Sequence, residues 1–100
     1  MSVNIKSKQF GEMVIPKEGF DKQGLLEKYL DGLREDSKQY ESEDGKTIFQ
    51  DKHNRIAVKH AVSVGWIDAL DIESESPKKI AWIAKGITDY VLDCVTVDPN

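Results

Sequence analysis

The chain has little cysteine, no excess of positive charge and no long apolar run, and each shortage excludes something. Cys94 is the single cysteine among 100 residues, so no internal disulfide and no CxxC redox or zinc motif is possible. A reducing compartment is the simpler setting. The net charge of −4 and a pI near 5.1 oppose non-specific nucleic-acid binding as the main role, because neutralising phosphates needs a basic surface. No stretch approaches membrane-spanning length. The opening MSVNIKSKQF has no apolar core of a signal peptide, so a cytoplasmic location is expected.

Catalytic signatures are missing too. There is no HExxH, no GxSxG elbow, and neither GxxxxGK[ST] nor GxGxxG. His53 and His60 stand seven apart, too far for a helical metal pair, and read as polar surface or core-edge residues. Asp68, Asp71, Glu73 and Glu75 lack the central glycine and ligand spacing of a calcium loop. Ser63 lies three residues from His60, a spacing common on any helix. The expectation is a non-enzyme that needs no cofactor and no metal.

What is present is a small globular domain: 32% charged and 39% hydrophobic residues in one unit. Residues 2–16 read as a hairpin. Val3 and Ile5 alternate with Asn4 and Lys6, a turn falls at Ser7–Gly11, and Met13-Val14-Ile15 is ended by Pro16. Two strands alone are marginal, so the hairpin must pack on helices. A first helix is predicted over 21–37. Asp21 caps it, Phe20 and Leu25 form a staple, and Leu25, Leu26, Tyr29, Leu30 and Leu33 share a face. Gly24 and Gly32 each weaken it by roughly 1 kcal/mol. Residues 35–46 form an acidic connection with a turn at Asp44-Gly45, followed by a brief extended piece at Thr47-Ile48-Phe49.

A second helix is predicted over 51–66. Ala57, Val58, Ala61, Val62 and Val64 form its buried face, and Ile56 lies off that face. Gly65 is suited to a left-handed helix end with Trp66 folded back. If the helix ran on to Leu70 instead, Trp66 would reach the surface beside Lys59. After the linker 71–75, Ser76-Pro77 is the strongest helix start in the chain, and it opens a third helix over 77–94. The fold class is therefore α+β and mainly helical: a short N-terminal β-hairpin packed on three α-helices.

Two surface patterns stand out. Lys52, Arg55 and Lys59 fall on one helical stripe with no acidic residue between them. That stripe faces an acidic partner or phosphates, or else water or the chain's own acidic segment 35–44. On the third helix Ile80, Ile83, Ala84, Ile87, Tyr90, Val91 and Cys94 share one face, while Trp82 falls roughly opposite, with Gly86 one turn on. Trp82 is either an interface anchor, with Gly86 the notch a partner enters, or the residue that the N-terminal hairpin covers.

The order of parts resembles phage tail assembly chaperones. The likeness rests on Phe10-Gly11-Glu12-Met13-Val14-Ile15-Pro16 as the extended opening, HNRIAVKHAVSVGWI over 53–67 as the middle helix leading to a tryptophan, and Ser76-Pro77-Lys78-Lys79-Ile80-Ala81-Trp82-Ile83 as the proline-started last helix. The Val3–Ile5 strand has no counterpart there. The resemblance implies contact with a larger tape-measure-like structural protein, or self-association, through Trp66, Trp82 and Ile56, with Lys52, Arg55 and Lys59 giving orientation. Residues 5–16 also resemble the start of the flagellar assembly factor that binds flagellin. The rival class is a small nucleic-acid-associated regulator using the basic stripe.

Overall fold

The computed structural model describes residues 2–17, 25–37 and 46–96. The elements run β1 (Val3–Ser7), β2 (Gly11–Ile15), α1 (Leu25–Ser37), α2 (Lys46–Ser63) and α3 (Pro77–Thr96). The expected α+β class is what the chain forms, with an antiparallel hairpin ahead of three helices.

The hairpin pairs Val3 with Ile15, Ile5 with Met13 and Ser7 with Gly11. The Ser7 side-chain oxygen accepts bonds from the Gln9 and Phe10 amides, both 3.1 Å, which closes the turn. Gly11 then takes φ +93°, a conformation that side-chain-bearing residues rarely adopt. Pairing puts Val3, Ile5, Met13 and Ile15 on one face. Ile5 and Ile15 meet α3 at Gly86, where a Cβ would stand 2.8 Å from two Ile5 carbons and 2.9 Å from the Ile15 Cδ1. The notch that the sequence offered to a partner is therefore filled by the chain's own hairpin.

α2 is the middle helix, with α1 against it on one side and α3 on another. It starts at Lys46 rather than Asp51, so Thr47-Ile48-Phe49 are helical and not extended. Local propensity of β-branched and aromatic residues suggested a strand there. A helix already anchored by tertiary packing extends through such residues at little cost. The helix stops at Ser63, short of the expected 66. Gly65 takes φ +86°, its amide bonds the Val62 carbonyl at 3.0 Å, and the Trp66 amide bonds the Ala61 carbonyl at 2.9 Å. These are the two bonds of a Schellman cap, and they fold Trp66 back onto the helix. The third helix starts as expected: the Ser76 hydroxyl accepts from the Lys79 amide at 3.2 Å. It runs to Thr96 rather than 94. The proposed Asp21 cap, the Phe20 staple partner and the Asp44-Gly45 turn lie outside the described residues.

The core gathers Ile15, Tyr29, Val58, Ala61, Trp66, Ile80, Ile83 and Ile87. At its centre the Trp66 ring lies 4.7 Å from Tyr29 and 4.9 Å, edge-on, from Tyr90. One side chain thus joins α1, the α2 cap and α3. Burial pushes the Tyr29 hydroxyl up to about 12. Tyr90 also rises to about 12, first through burial and then through its bond with Cys94.

Candidate protein-contact site

The six residues picked out as a contact set separate. Trp66 is 2% exposed and Ile56 is 8% exposed, so neither offers apolar area to a partner. Trp66 is buried because Gly65 turns it inward. Ile56 is buried although it lies off the Ala57–Val58 face, because a helix covered on more than one side needs apolar residues around more of its girth.

Arg55 is a correction of the same kind. Its guanidinium donates to the Ile72 carbonyl, to the Glu75 carbonyl at 3.0 Å and to the Asp51 carboxylate at 2.9 Å. It ties the 72–75 turn onto α2 and is only 17% exposed at the side chain. A planar guanidinium can satisfy several carbonyls at once, which suits this role. Arg55 is thus a fastener for the link into α3, not a surface cation.

Lys59 faces its own chain. Its ammonium lies 3.0 Å from Asp36 Oδ2, and His60 Nε2 lies 2.8 Å from the same oxygen. The Lys59 bond, and after it the His60 bond, hold the Asp36 carboxyl below its ordinary range. Of the three stripe cations, Lys59 thus meets the start of the chain's own segment 35–44, at Asp36, whereas Arg55 turns to Asp51 and the 72–75 turn. Gly32 makes the approach possible. A Cβ there would sit 2.5 Å from His60 Nδ1, so the missing side chain lets the imidazole rest against α1. Lys52, half-buried, and exposed Lys59 border a groove of about 510 Å³, whose open apolar walls are half-buried Leu70 and Ile72. Asp36, Asp71 and Glu73 border it as well, so the groove carries both signs of charge.

Trp82 is half-buried, and it stacks on Phe10 in the hairpin turn with ring centroids 5.5 Å apart. Phe10 is half-buried too. Each ring covers part of the other and leaves part open. The sequence places Phe10 in the hairpin turn and in the 10–16 segment, but its local pattern does not pair it with Trp82. An aromatic in the turn of a hairpin that must pack on helices is the signal that marks it.

A second groove, of about 420 Å³, runs between β2 and the segment after the α2 cap. It is lined by Glu12, Met13 and Val14 on one side and residues 67–70 on the other. Among the described residues, no group of His, Cys, Asp and Glu is placed to hold a metal ion, and no helix is long and apolar enough to cross a membrane. Comparison with family models, with curated proteins and with solved structures returns no match.

Proposed function

We propose that the chain acts by non-catalytic contact with a larger protein, as a phage-type morphogenesis component of the tail assembly chaperone kind working in the host cytoplasm. The observation that carries this reading is the Phe10–Trp82 pair. Two large aromatics meet at 5.5 Å on α3 and the hairpin turn, each left partly open. A partner segment closing over them would dry the remaining ring surface at little cost in side-chain entropy, because each ring is already held by the other. The pair joins two of the three segments that carry the resemblance, 10–16 and 76–83. Trp66 and Ile56 act through the fold.

The rival reading, a nucleic-acid regulator using the basic stripe, loses much of its charge. Arg55 is engaged by two carbonyls and Asp51, and Lys59 by Asp36. Co-expression with a large tape-measure-like structural protein, followed by co-purification at increasing salt, separates the two. Apolar masking holds the complex together between about 50 and 200 mM salt, whereas phosphate-driven binding to DNA falls by orders of magnitude over that range. Micromolar DNA affinity at physiological salt, lost in Lys59→Glu, would favour the rival.

A further inference from the structure

α3 has a second face that neither the core nor the aromatic pair uses. Ile80, Ile83, Ala84 and Ile87 are buried, and α2 and the hairpin pack on this helix. On its other side Lys78, Ala81, Lys85, Thr88, Leu92 and Val95 are all exposed. Their spacing alternates three and four residues over nearly the whole helix, which keeps them in one line on its surface. Leu92, 52% exposed, and Val95, 49% exposed, are the large hydrophobics most open to solvent among the described residues, and both lie on this line. A stripe of this spacing is what a second helix packs against.

The charges on and beside the stripe divide along the helix. Lys78 and Lys85 stand in its first half, Asp89 and Asp93 in its second. Among the described residues Lys78 and Asp93 make no ion pair. Lys85 and Asp89 are 3.7 Å apart, with side chains 80% and 46% exposed, so this pair is weakly held. A parallel copy of α3 would set lysine against lysine and aspartate against aspartate. A reversed copy sets each half against the opposite charge. The apolar residues ask for the same orientation. With a two-fold axis between Gly86 and Ile87, small Ala81 of one copy faces large Leu92 of the other, Lys85 faces Thr88, and Lys78 lays its stem over Val95. Lys85 is then level with Asp89 of the other copy, and Lys78 lies within a turn of its Asp93. Every contact occurs twice, as a self-complementary patch requires.

We infer that two copies of this chain associate through the exposed stripe of α3, with the two helices antiparallel and Ala81 of each against Leu92 of the other. The apolar layers are few and lysines occupy stripe positions, so register is well specified and the dimer is weak, forming on the order of 0.1 mM. The stripe leaves out Trp82, whose ring turns to Phe10 in the hairpin, so the inference does not rest on the partner reading above.

The test uses the full chain with Cys94→Ser, which bars chance disulfides. Sedimentation equilibrium from about 10 μM to 1 mM is expected to show monomer passing to dimer. Leu92→Glu, with its melt checked, should weaken association by roughly tenfold or more. A chain with Lys78→Glu and Lys85→Glu, and a second with Asp89→Lys and Asp93→Lys, should each stay monomeric alone and associate when mixed in equal amounts. Orientation is read by oxidation: a chain with Ala81→Cys mixed with a chain with Leu92→Cys should link faster than either does with itself. A monomer throughout the range, association unmoved by Leu92→Glu, no association of the mixed charge variants, or Ala81→Cys chains linking to each other as fast as to Leu92→Cys chains would each overturn the proposal.

Discussion

Gly86→Ala is ordinarily a stabilising change inside a helix, and here it is expected to do harm. Replacing glycine by alanine in a helix interior gains about 1 kcal/mol. At Gly86 the added methyl would stand 2.8 Å from Ile5 Cδ1, 2.8 Å from Ile5 Cγ2 and 2.9 Å from Ile15 Cδ1. A Cδ1 can swing aside. The Ile5 Cγ2 is attached at the branch point and moves only with the strand, and Ile15 is wholly buried. Overpacking of this kind costs roughly 1–3 kcal/mol, so the net effect is a loss of about 1 kcal/mol. For a domain of this size that lowers the thermal midpoint by about 4–8 °C. Because the hairpin must lift, the Phe10–Trp82 contact should loosen with it, visible as a red shift and easier quenching of tryptophan emission. The double variant with Ile5→Ala should be less impaired than the sum of the two single changes, since they share one contact. A midpoint raised by the full helix gain would refute the packing of β1 on Gly86.

Three further outcomes follow from the core and the α1–α2 contact. Trp66→Ala should cost about 3–5 kcal/mol, enough to threaten folding at ordinary temperature, with chemical denaturation as the measure and Trp66→Phe as the milder comparison. Gly32→Ala should destabilise through the His60 ring, and the double variant with His60→Ala should be less impaired than the sum of the single changes in thermal melts. Asp36→Asn should remove on the order of 1 kcal/mol at neutral pH. The Asp36 carboxyl lies below its ordinary range in the folded chain, so its contribution is present above the unfolded value and lost as pH falls through the folded one. The gap between wild type and Asp36→Asn should therefore close in melts taken below about pH 4.

The parts legible in the sequence are those with local causes. Ser76-Pro77 announced α3 because cap and first-turn chemistry sit in adjacent residues, and Gly65 announced the end of α2 because a left-handed residue is cheap only for glycine. The hairpin was legible from alternation and a turn. The contact set fared worse. Arg55 reads as a surface charge until the 72–75 turn folds over it, and no local pattern says which carbonyls will arrive. Ile56 looked misplaced on a wheel drawn for one buried face, whereas α2 has neighbours on two sides. Gly32 read as a helix-weakening residue and Gly86 as a notch for a partner. Each is in fact the place where another element comes close, a relation between segments far apart in the chain. The Thr47–Phe49 stretch was misread because propensity is weaker than an established helix beside it.

The central claim is that the open part of the Phe10–Trp82 pair is where a larger protein is held. Titration calorimetry of a tape-measure-like protein into wild type and Trp82→Ala tests it most directly, with a melt run alongside to show that the variant is folded. The account predicts a loss of affinity of roughly tenfold or more that barely changes with salt. Unchanged affinity in a folded Trp82→Ala chain would contradict it and leave Trp82 as a cover for the hairpin alone.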